Sequence, residues 1–282
     1  MDYKIIIDSC SDITSQLAER LGVAAVIPLT LRLGEKELLD DENLNIEEFM
    51  VEMKACKDKV GTAAPSPLTF QNAMEAAKNA FVVTISKHLS GTFASAELGK
   101  EYAEKNGVDD IHIFDSKSTS AAELLVAVKI REFLSKGMSK EQIIKTINSF
   151  IDNMKTYFVL ERYDNLIKNG RLSKVTGKII NILHVKLIMG ADGEGHIGLF
   201  AKPRGKKQMF EKLMSLIRDK EKDQNNSTGD KTMVISHSNN LPLAKQLSDA
   251  VRSQFDFKEI IIVPTRGTIS LYADDKGIIM AF

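Results

Sequence analysis

Short, mostly apolar runs alternate with segments of helical spacing through the first half of this chain. Runs at residues 3–7, 81–85 and 111–114 are rich in β-branched and aromatic side chains, which is typical of strands buried in a parallel sheet. Helical segments follow at 93–105 and 121–135. This β-α order predicts a parallel sheet with helices on both of its faces.

The second half has a different order of elements. Strand-like segments at 185–190 and 196–201 flank Asp192-Gly193, which is the pattern of a hairpin turn. We predict an α/β fold with two domains. The N-terminal α/β domain covers 1–155, with a segment near 62–80 as a candidate for packing on the second domain. A C-terminal α+β domain with a mixed or antiparallel sheet covers 156–282. The other predicted elements are strands at 24–33, 157–160, 232–236 and 258–263, helices at 47–55, 66–79, 139–153, 163–167, 175–183, 205–220 and 242–254, and loops at 61–65 and 223–230.

Some helix ends carry sequence signals of their own. We predict a helix through Leu17 and Leu21 that stops near Gly22. Ser66-Pro67 provides an N-cap followed by proline at the first helical position, and Ser139 with Gln142 is a capping box.

Composition argues against several classes of function. Lys plus Arg and Asp plus Glu both number 38 among 282 residues, so no excess charge favours nucleic acid or an anionic membrane. No apolar run approaches the roughly 20 residues that span a bilayer, and the first residues lack the apolar segment of a signal peptide. Cys10 and Cys56 give no disulfide framework. We expect a cytoplasmic protein with no nucleic-acid partner and no membrane span.

The turn Leu89-Ser90-Gly91-Thr92 lies where a predicted strand ends and a predicted helix begins. The first N–H groups of a helix have no intrahelical partners, and together with the helix dipole they favour an anion. Ser90 and Thr92 add hydroxyls, and Gly91 permits close approach of the backbone. The turn is therefore a candidate anion-binding loop, although the same residues are also common as a simple helix cap.

Other polar side chains lie at or near the ends of predicted strands. Because ligands of parallel sheets collect at the carboxyl ends of the strands, we expect these residues to lie on the same edge as Ser90. They are Asp8, Ser9, Thr62, Asp115 and Ser116.

The chemical alternatives at this edge are weak. Asp8 and Asp12 would suit a hard cation, but no third ligand is visible, and the start of a helix accounts for the segment equally well. Ser90 lacks the Gly-x-Ser-x-Gly context of a nucleophile. The five histidines show no metal-binding spacing. We therefore predict no catalytic residue and no metal.

Several segments, spread in order over the whole chain, resemble motifs of the DegV family of bacterial fatty-acid-binding proteins. Each motif is modest alone, but their order and spacing make the resemblance specific. The segments are Asp8-Ser9-Cys10-Ser11-Asp12, Thr62-Ala63-Ala64-Pro65-Ser66, Leu89-Ser90-Gly91-Thr92, Asp115-Ser116, Asn169-Gly170-Arg171 and Lys202-Pro203-Arg204-Gly205-Lys206-Lys207.

The resemblance implies a protein that holds one long-chain fatty acid, of the C16–C18 class, between two domains. It implies that Thr62 and Ser90, with Gly91 beside them, hydrogen-bond the carboxylate. Arg171 and Arg204 would be nearby basic residues, with Arg204 the better candidate. No cofactor is implied, and the acid would be presented to a fatty acid kinase. Residues of lower priority are Asp8, Ser9, Thr92, Asp115, Ser116 and Arg266.

The chain departs from the family pattern at one place in particular. A His-x-Gly-Pro-Gly loop is usual near the C-terminus, with its histidine at the carboxylate, whereas the corresponding residues here are Ala273 to Gly277. The segment after Thr62 has also lost a Ser and a Gln. We expect weaker head-group binding and less efficient presentation to a kinase, with Arg266 as a residue that could compensate.

Three functions are compatible with these observations. We favour a non-catalytic carrier of fatty acid. One alternative is an enzyme of phosphoryl or acyl transfer that uses the same anion site with the carboxylates of Asp8, Asp12 and Asp115. The other is a regulator that responds to a bound lipid.

Overall fold

The computed structural model describes residues 3–172, 185–224 and 228–282. The predicted helix at 175–183 lies outside these residues, as does part of the predicted loop at 223–230. The strands are β1 (Lys4–Asp8), β2 (Val23–Ile27), β3 (Thr30–Leu33), β4 (Lys36–Leu39), β5 (Val60–Ala63), β6 (Asn79–Thr84), β7 (Asp110–Asp115), β8 (Thr156–Val159), β9 (Ile188–Ala191), β10 (Ile197–Ala201), β11 (Thr232–His237), β12 (Glu259–Pro264) and β13 (Ile278–Ala281). The helices are α1 (Ser15–Leu21), α2 (Ile46–Ala55), α3 (Pro67–Ala77), α4 (Thr92–Lys105), α5 (Ala121–Ser135), α6 (Lys140–Asn153), α7 (Asp164–Lys168), α8 (Gly205–Gln224), α9 (Leu241–Arg252) and α10 (Gly267–Ala273).

Four parallel strands form the first sheet, in the order β2-β1-β6-β7. Phe70 and Met74 of α3 and Ala96 of α4 pack against one face. Leu124 and Leu125 of α5 belong to the cluster on the other face. The predicted parallel sheet with helices on both faces is therefore confirmed.

A small antiparallel sheet, β4-β3-β5, corrects two of the predictions. The expected single strand region at 24–33 is two strands in different sheets, divided at Pro28, which has no N–H to continue a ladder. The expected loop at 61–65 begins with β5. Strand propensity is weak in its Gly-Thr-Ala sequence, so pairing with β3, where Thr62 lies opposite Leu31, determines the conformation.

The second half forms a mixed sheet of six strands, β10-β9-β8-β13-β11-β12. Only β11 and β12 are parallel neighbours, so the predicted mixed sheet is confirmed. The sequence pattern stopped at residue 263 and missed α10 and β13, because seven and four residues are too few to show a clear period. β13 nevertheless lies in the middle of the sheet.

Helix α5 lies between the two large sheets. It packs on β1 and β6 on one side and on β11 and β13 on the other. Its sequence is apolar around much of its circumference, as a helix buried on several sides requires. Leu124, Leu125 and Val126, three consecutive residues, are all fully buried.

Sequence signals for helix ends are confirmed. Gly22 ends α1 with a left-handed φ of 63°. Ser66 caps α3, whose first residue is Pro67. Ser139 and Gln142 form the predicted capping box of α6. Among the described helices, none combines the length and the apolar content that crossing a bilayer requires.

The division at residue 155 remains a prediction. The backbone of Lys155 pairs in both directions with Phe282, at 2.9 and 3.1 Å, which joins the start of β8 to the end of the chain. The segment near 62–80 is predicted to pack on the second half of the chain. Two residues before it, the Val60 carbonyl accepts a hydrogen bond from the side-chain amide of Asn169 at 3.1 Å.

Candidate functional site

A cavity lies between the four-stranded and the six-stranded sheets, and both halves of the chain contribute to its walls. Its volume is about 90 Å³, and its exposed surface is almost entirely apolar. A depression of about 650 Å³ beside α2 is larger, but charged and polar side chains line much of it. Burial of apolar groups drives the binding of apolar ligands. We therefore take the smaller cavity, with its apolar walls, as the candidate ligand-binding site. Its apolar wall consists of Leu29, Ile85, Leu89, Phe158, Leu160, Leu166, Ile197, Ile269, Ala273 and Ile279.

Four polar residues on this wall form one group, which we call the polar cluster: Thr62, Ser90, Arg171 and Tyr272. The hydroxyl oxygens of Thr62 and Tyr272 are 3.0 Å apart. The Arg171 guanidinium lies over the Tyr272 ring, 5.9 Å from its centre. Arg171 also reaches the carbonyl of Leu89, the residue before Ser90. The cluster thus joins β5, α10 and the loop before α4.

The loop before α4 positions Ser90 at the cavity. The Ser90 N–H donates to the Ser86 carbonyl at 3.1 Å, which closes a turn after β6. Ser90 Oγ accepts from the Thr92 N–H at 3.3 Å and lies 2.8 Å from Thr92 Oγ1. Thr92 is fully buried and is not part of the cavity wall, so it supports Ser90 from behind.

Gly91 lies beside the cavity wall. It has an ordinary φ of −73°, and a Cβ added there would meet only Ala64, at 3.7 Å. Neither the backbone conformation nor crowding therefore requires glycine at this position in the structure.

The guanidinium of Arg171 hydrogen-bonds backbone carbonyls in the described part of the chain. Its Nε and Nη1 donate to the carbonyls of Leu89, at 3.2 Å, and Asn169, at 2.5 Å. Within the described ranges, no acidic side chain forms an ion pair with it. By contrast, Lys117, also on the cavity wall, is paired with Asp152 at 2.8 Å. A guanidinium that hydrogen-bonds neutral carbonyls beside apolar walls favours an anionic group in the cavity.

Helix α10 is anchored to the N-terminal half by two buried carboxylates. Both oxygens of Asp40 accept from the first N–H groups of the helix, those of Gly267 and Thr268, at 2.8 Å each. Asp12 accepts from the Arg266 N–H at 2.8 Å and from the Ser120 hydroxyl at 2.5 Å. These bonds fix the helix that carries Tyr272.

Arg266 contributes to this anchor and not to the cavity wall. Its Nη2 donates to the Asp40 carbonyl at 3.2 Å, and its Nη1 to the Ile13 carbonyl at 3.5 Å. Its guanidinium is therefore engaged with backbone groups next to α10.

Asp8 and Ser9 hold two wall residues in place. Asp8 accepts from the N–H of Ile85 and of Cys10, both at 2.8 Å, and caps the short 3₁₀ turn at Ser9–Ser11. Ser9 Oγ accepts from the Leu29 N–H at 3.1 Å. Burial raises the pKa of Asp8 to about 6, although its two backbone hydrogen bonds oppose that shift.

Two further carboxyls, those of Asp12 and Glu123, are buried near Asp8. Burial raises the pKa of Asp12 to about 7. Burial, with the charges of Asp8 and Asp12, also raises the pKa of Glu123 well above its usual value. In the parts of the chain that the structure describes, no set of three or more His, Cys, Asp or Glu side chains is arranged to bind a metal.

Asp115 and Ser116 shape the turn after β7. Asp115 Oδ1 accepts from the Lys117 N–H at 2.9 Å, and the Ser116 hydroxyl donates to the Ser118 carbonyl at 3.0 Å. The turn brings Lys117, Ser118 and Thr119 onto the cavity wall, whereas Asp115 and Ser116 themselves lie behind it. These two residues support the site indirectly.

Arg204 lies on the surface before α8. It is exposed and does not line the cavity, and its N–H donates to the Gln208 side chain at 2.9 Å. Of the two arginines expected near a carboxylate, the structure brings only Arg171 to the cavity wall.

The hairpin formed by β9 and β10 closes one side of the cavity and was missed as part of the site. The Ser86 hydroxyl donates to the Gly195 carbonyl at 2.7 Å. The rings of His88 and His196 stack with their centres 4.1 Å apart. Gly190 lies so close to its neighbour that an added Cβ would be 2.0 Å from the Thr156 carbonyl oxygen. The Asp192-Gly193 turn gave the only sequence signal, and it indicated a hairpin without a role.

Tyr272 is the member of the polar cluster that the sequence did not identify. It belongs to α10, which was not predicted, and it precedes Ala273, which lines the cavity with no polar group. The family resemblance points to Ala273–Gly277, which lacks the usual histidine and proline, and Tyr272 lies one residue before that segment. The only sequence signal for Tyr272 is therefore a hydroxyl-bearing side chain next to the altered segment.

Comparisons with known proteins agree over the full length of the chain. A family model described as an uncharacterised protein of the DegV family matches residues 2–281. A DegV domain-containing protein of Streptococcus pneumoniae is 34% identical over 284 residues, covering 100% of this chain and 99% of the relative.

Solved structures of similar proteins carry fatty acids. A DegV family protein from Ruminococcus gnavus, refined with vaccenic acid, has a TM-score of 0.92 at 34% identity and covers 99% of both chains. The Streptococcus pneumoniae Fatty Acid Kinase (Fak) B3 protein, loaded with linoleic acid, has a TM-score of 0.88 at 32% identity and covers 100% of this chain and 99% of the other. A DegV family protein from Eubacterium eligens, loaded with heptadecanoic acid, has a TM-score of 0.89 at 26% identity over 99% of both chains.

The fold is that of an α/β protein with an apolar cavity between two sheets. The chain belongs to the DegV family, as the family model and the close relatives show.

Proposed function

We propose that this chain binds one long-chain fatty acid of the C16–C18 class and carries it without chemical change to a partner such as a fatty acid kinase. The acyl chain enters the apolar cavity between the sheets, which has to widen from its volume of about 90 Å³ to hold the full chain. The carboxylate lies at the polar cluster, where it accepts hydrogen bonds from Thr62 and Ser90 and faces the Arg171 guanidinium.

The observation that carries the proposal is that Arg171, on an apolar cavity wall, forms no ion pair with any acidic side chain that the structure describes. Its donors reach two carbonyl oxygens, and neither carries a formal charge. A ligand that matches the whole site must be apolar over most of its length and anionic at one end. The acids carried by the R. gnavus and S. pneumoniae relatives have these properties.

Simple energetics assign different roles to the two parts of the ligand. A C16 acid buries about 14 methylene groups, each worth about 0.8 kcal/mol, so the chain contributes about 11 kcal/mol before the cost of association. Each hydrogen bond to a charged carboxylate adds about 1.5–3 kcal/mol. The acyl chain therefore provides most of the affinity, and the polar cluster determines the orientation.

Two arginine variants test the position of the carboxylate. Arg171→Gln should weaken palmitate binding by about tenfold or more, because a charged partner is lost. Arg204→Gln provides a matched control, since it makes the same change at an exposed arginine outside the cavity wall. Equal affinities for Arg171→Gln and the unmodified protein, or a loss confined to Arg204→Gln, would contradict this site.

The role as a carrier needs a separate test. The palmitate-loaded chain is incubated with a fatty acid kinase and ATP, and acyl phosphate is measured. We expect acyl phosphate only when the chain, the acid and the kinase are all present. Acyl phosphate formed by the chain without the kinase would instead support the transfer-enzyme alternative.

A further inference from the structure

We propose that Tyr272 is a direct ligand of the carboxylate, a role that neither the sequence motifs nor the similar proteins assign to it. The inference rests on the proposed function, because it concerns how this chain recognises the head group of the acid. It identifies the ligand as one with an ionised carboxylate, as opposed to an alcohol or an ester of the same length.

The position of Tyr272 supports this role. Its side chain lines the cavity, and its hydroxyl lies 3.0 Å from Thr62 Oγ1. Its ring lies against the Arg171 guanidinium, 5.9 Å from ring centre to the central carbon. A carboxylate that reaches both Thr62 and Arg171 must therefore pass within reach of the tyrosine hydroxyl.

Counting hydrogen-bond donors shows why two hydroxyl pairs suit a carboxylate. When two hydroxyls bond to each other, one O–H is used between them and the other remains free. Thr62 with Tyr272 is one such pair, and Ser90 with Thr92 is another, at 2.8 Å. Without a ligand, each pair offers one free O–H. When a carboxylate replaces the bond between Thr62 and Tyr272, both of their hydroxyls can donate to it. A carboxylate presents two oxygens, so each oxygen can accept from one pair while Arg171 supplies the balancing charge.

Contacts that already hold Tyr272 in place reduce the conformational entropy that the residue loses when a ligand binds. Helix α10 is fixed at its first residues by Asp40 and Asp12. Asn165 donates to the carbonyl of Leu271, the residue before Tyr272, at 2.7 Å. Residues held in advance by such contacts bind a ligand at lower entropic cost.

The primary experiment compares Tyr272→Phe with the unmodified protein. Competition against a fluorescent fatty acid measures the affinities for palmitate and for hexadecanol. We expect Tyr272→Phe to bind palmitate on the order of tenfold more weakly, which corresponds to one lost hydrogen bond to a charged acceptor, and to bind hexadecanol unchanged. Tyr102→Phe, at a partly exposed tyrosine of α4 that does not line the cavity, is the matched control and should change neither affinity.

A double variant separates direct contact from an effect through Thr62. If Tyr272 is a ligand itself, Tyr272→Phe should still weaken palmitate binding when Thr62 is already Val. No further loss in that background would overturn the assignment, because the tyrosine would then act only by positioning the threonine. An equal loss for palmitate and hexadecanol would also overturn it, since that pattern indicates a structural effect.

The outcomes also distinguish this inference from the proposed function. If the unmodified protein binds no palmitate, the proposed function itself fails. If the unmodified protein binds palmitate and Tyr272→Phe binds it equally well, only the role of the tyrosine fails.

Discussion

Replacing Asp12 by asparagine should remove part of the pH dependence of stability. Asp12 is completely buried, and burial raises its pKa to about 7 in the folded chain, from an ordinary value of 3.8. Asparagine keeps an oxygen for the Arg266 N–H and an NH₂ group for Ser120. The substitution therefore removes the titration and conserves the hydrogen bonds that anchor α10.

The direction of the pKa shift determines whether the free energy of unfolding rises or falls with pH. As the pH falls through 7, the folded protein takes up a proton at Asp12 while an unfolded chain keeps that carboxyl ionised. Protonation thus stabilises the folded state as the pH falls, and this stability is lost as the pH rises through 7. Between about pH 8 and about pH 6, the unmodified protein should gain on the order of 1 kcal/mol relative to Asp12→Asn.

Urea denaturation followed by circular dichroism measures the free energy of unfolding, and it suits a chain without tryptophan. Comparison with the variant cancels the contributions of groups that do not interact with Asp12, including His112, whose pKa burial lowers to about 4. Asp109→Asn, at an exposed carboxyl, provides the control. Parallel stability curves for the unmodified protein and Asp12→Asn from pH 8 to pH 6 would refute the reasoning.

Three further predictions concern the cavity and its supports. Ser90→Ala should weaken palmitate binding by about tenfold and leave hexadecanol binding unchanged, and an unchanged ratio of the two affinities would count against a head-group role. Asp40→Ala leaves the first two N–H groups of α10 without acceptors and should lower the free energy of unfolding by about 2–4 kcal/mol; a melting temperature equal to that of the unmodified protein would disprove the anchor. Gly190→Ala should lower the free energy of unfolding by about 1–3 kcal/mol or more because the added methyl group would collide with the Thr156 carbonyl. Gly198→Ala, in the same hairpin, would meet only ordinary contacts beyond 3.4 Å. That variant should unfold at nearly the same urea concentration as the unmodified protein.

Local signals predicted much of the fold. The caps at Ser66 and Ser139 and the stop at Gly22 depend on hydrogen bonds within a few residues, so the sequence contains the whole signal. The parallel strands β1 and β6 are buried on both faces, and their continuous apolar runs identify them.

The errors occur where tertiary contacts override local preference. Residues 60–63 form a strand only because β3 lies beside them. Helix α10 has seven residues, and two distant carboxylates, Asp12 and Asp40, hold its start. A bond between residues more than 200 positions apart leaves no trace in a local pattern. For this reason the sequence identified neither α10, which carries Tyr272, nor the position of Arg266 beside that helix, where it was expected only to compensate for the missing histidine.

The motifs identified residues near the cavity but could not separate lining residues from supporting ones. Ser90 and Thr92 are two positions apart with similar side chains, yet only Ser90 reaches the cavity wall. Asp8 hydrogen-bonds the backbone of a wall residue and has no surface in the cavity. Direction of a side chain depends on the backbone that carries it, and spacing along the sequence does not determine that direction.

The most direct test of the central claim is the mass spectrum of lipids extracted from the protein after purification from a bacterial host. We predict one fatty acid of the C16–C18 class per chain, and less acid from Arg171→Gln prepared in the same way. Protein that carries no lipid and also fails to bind palmitate or oleate when they are supplied would contradict the account.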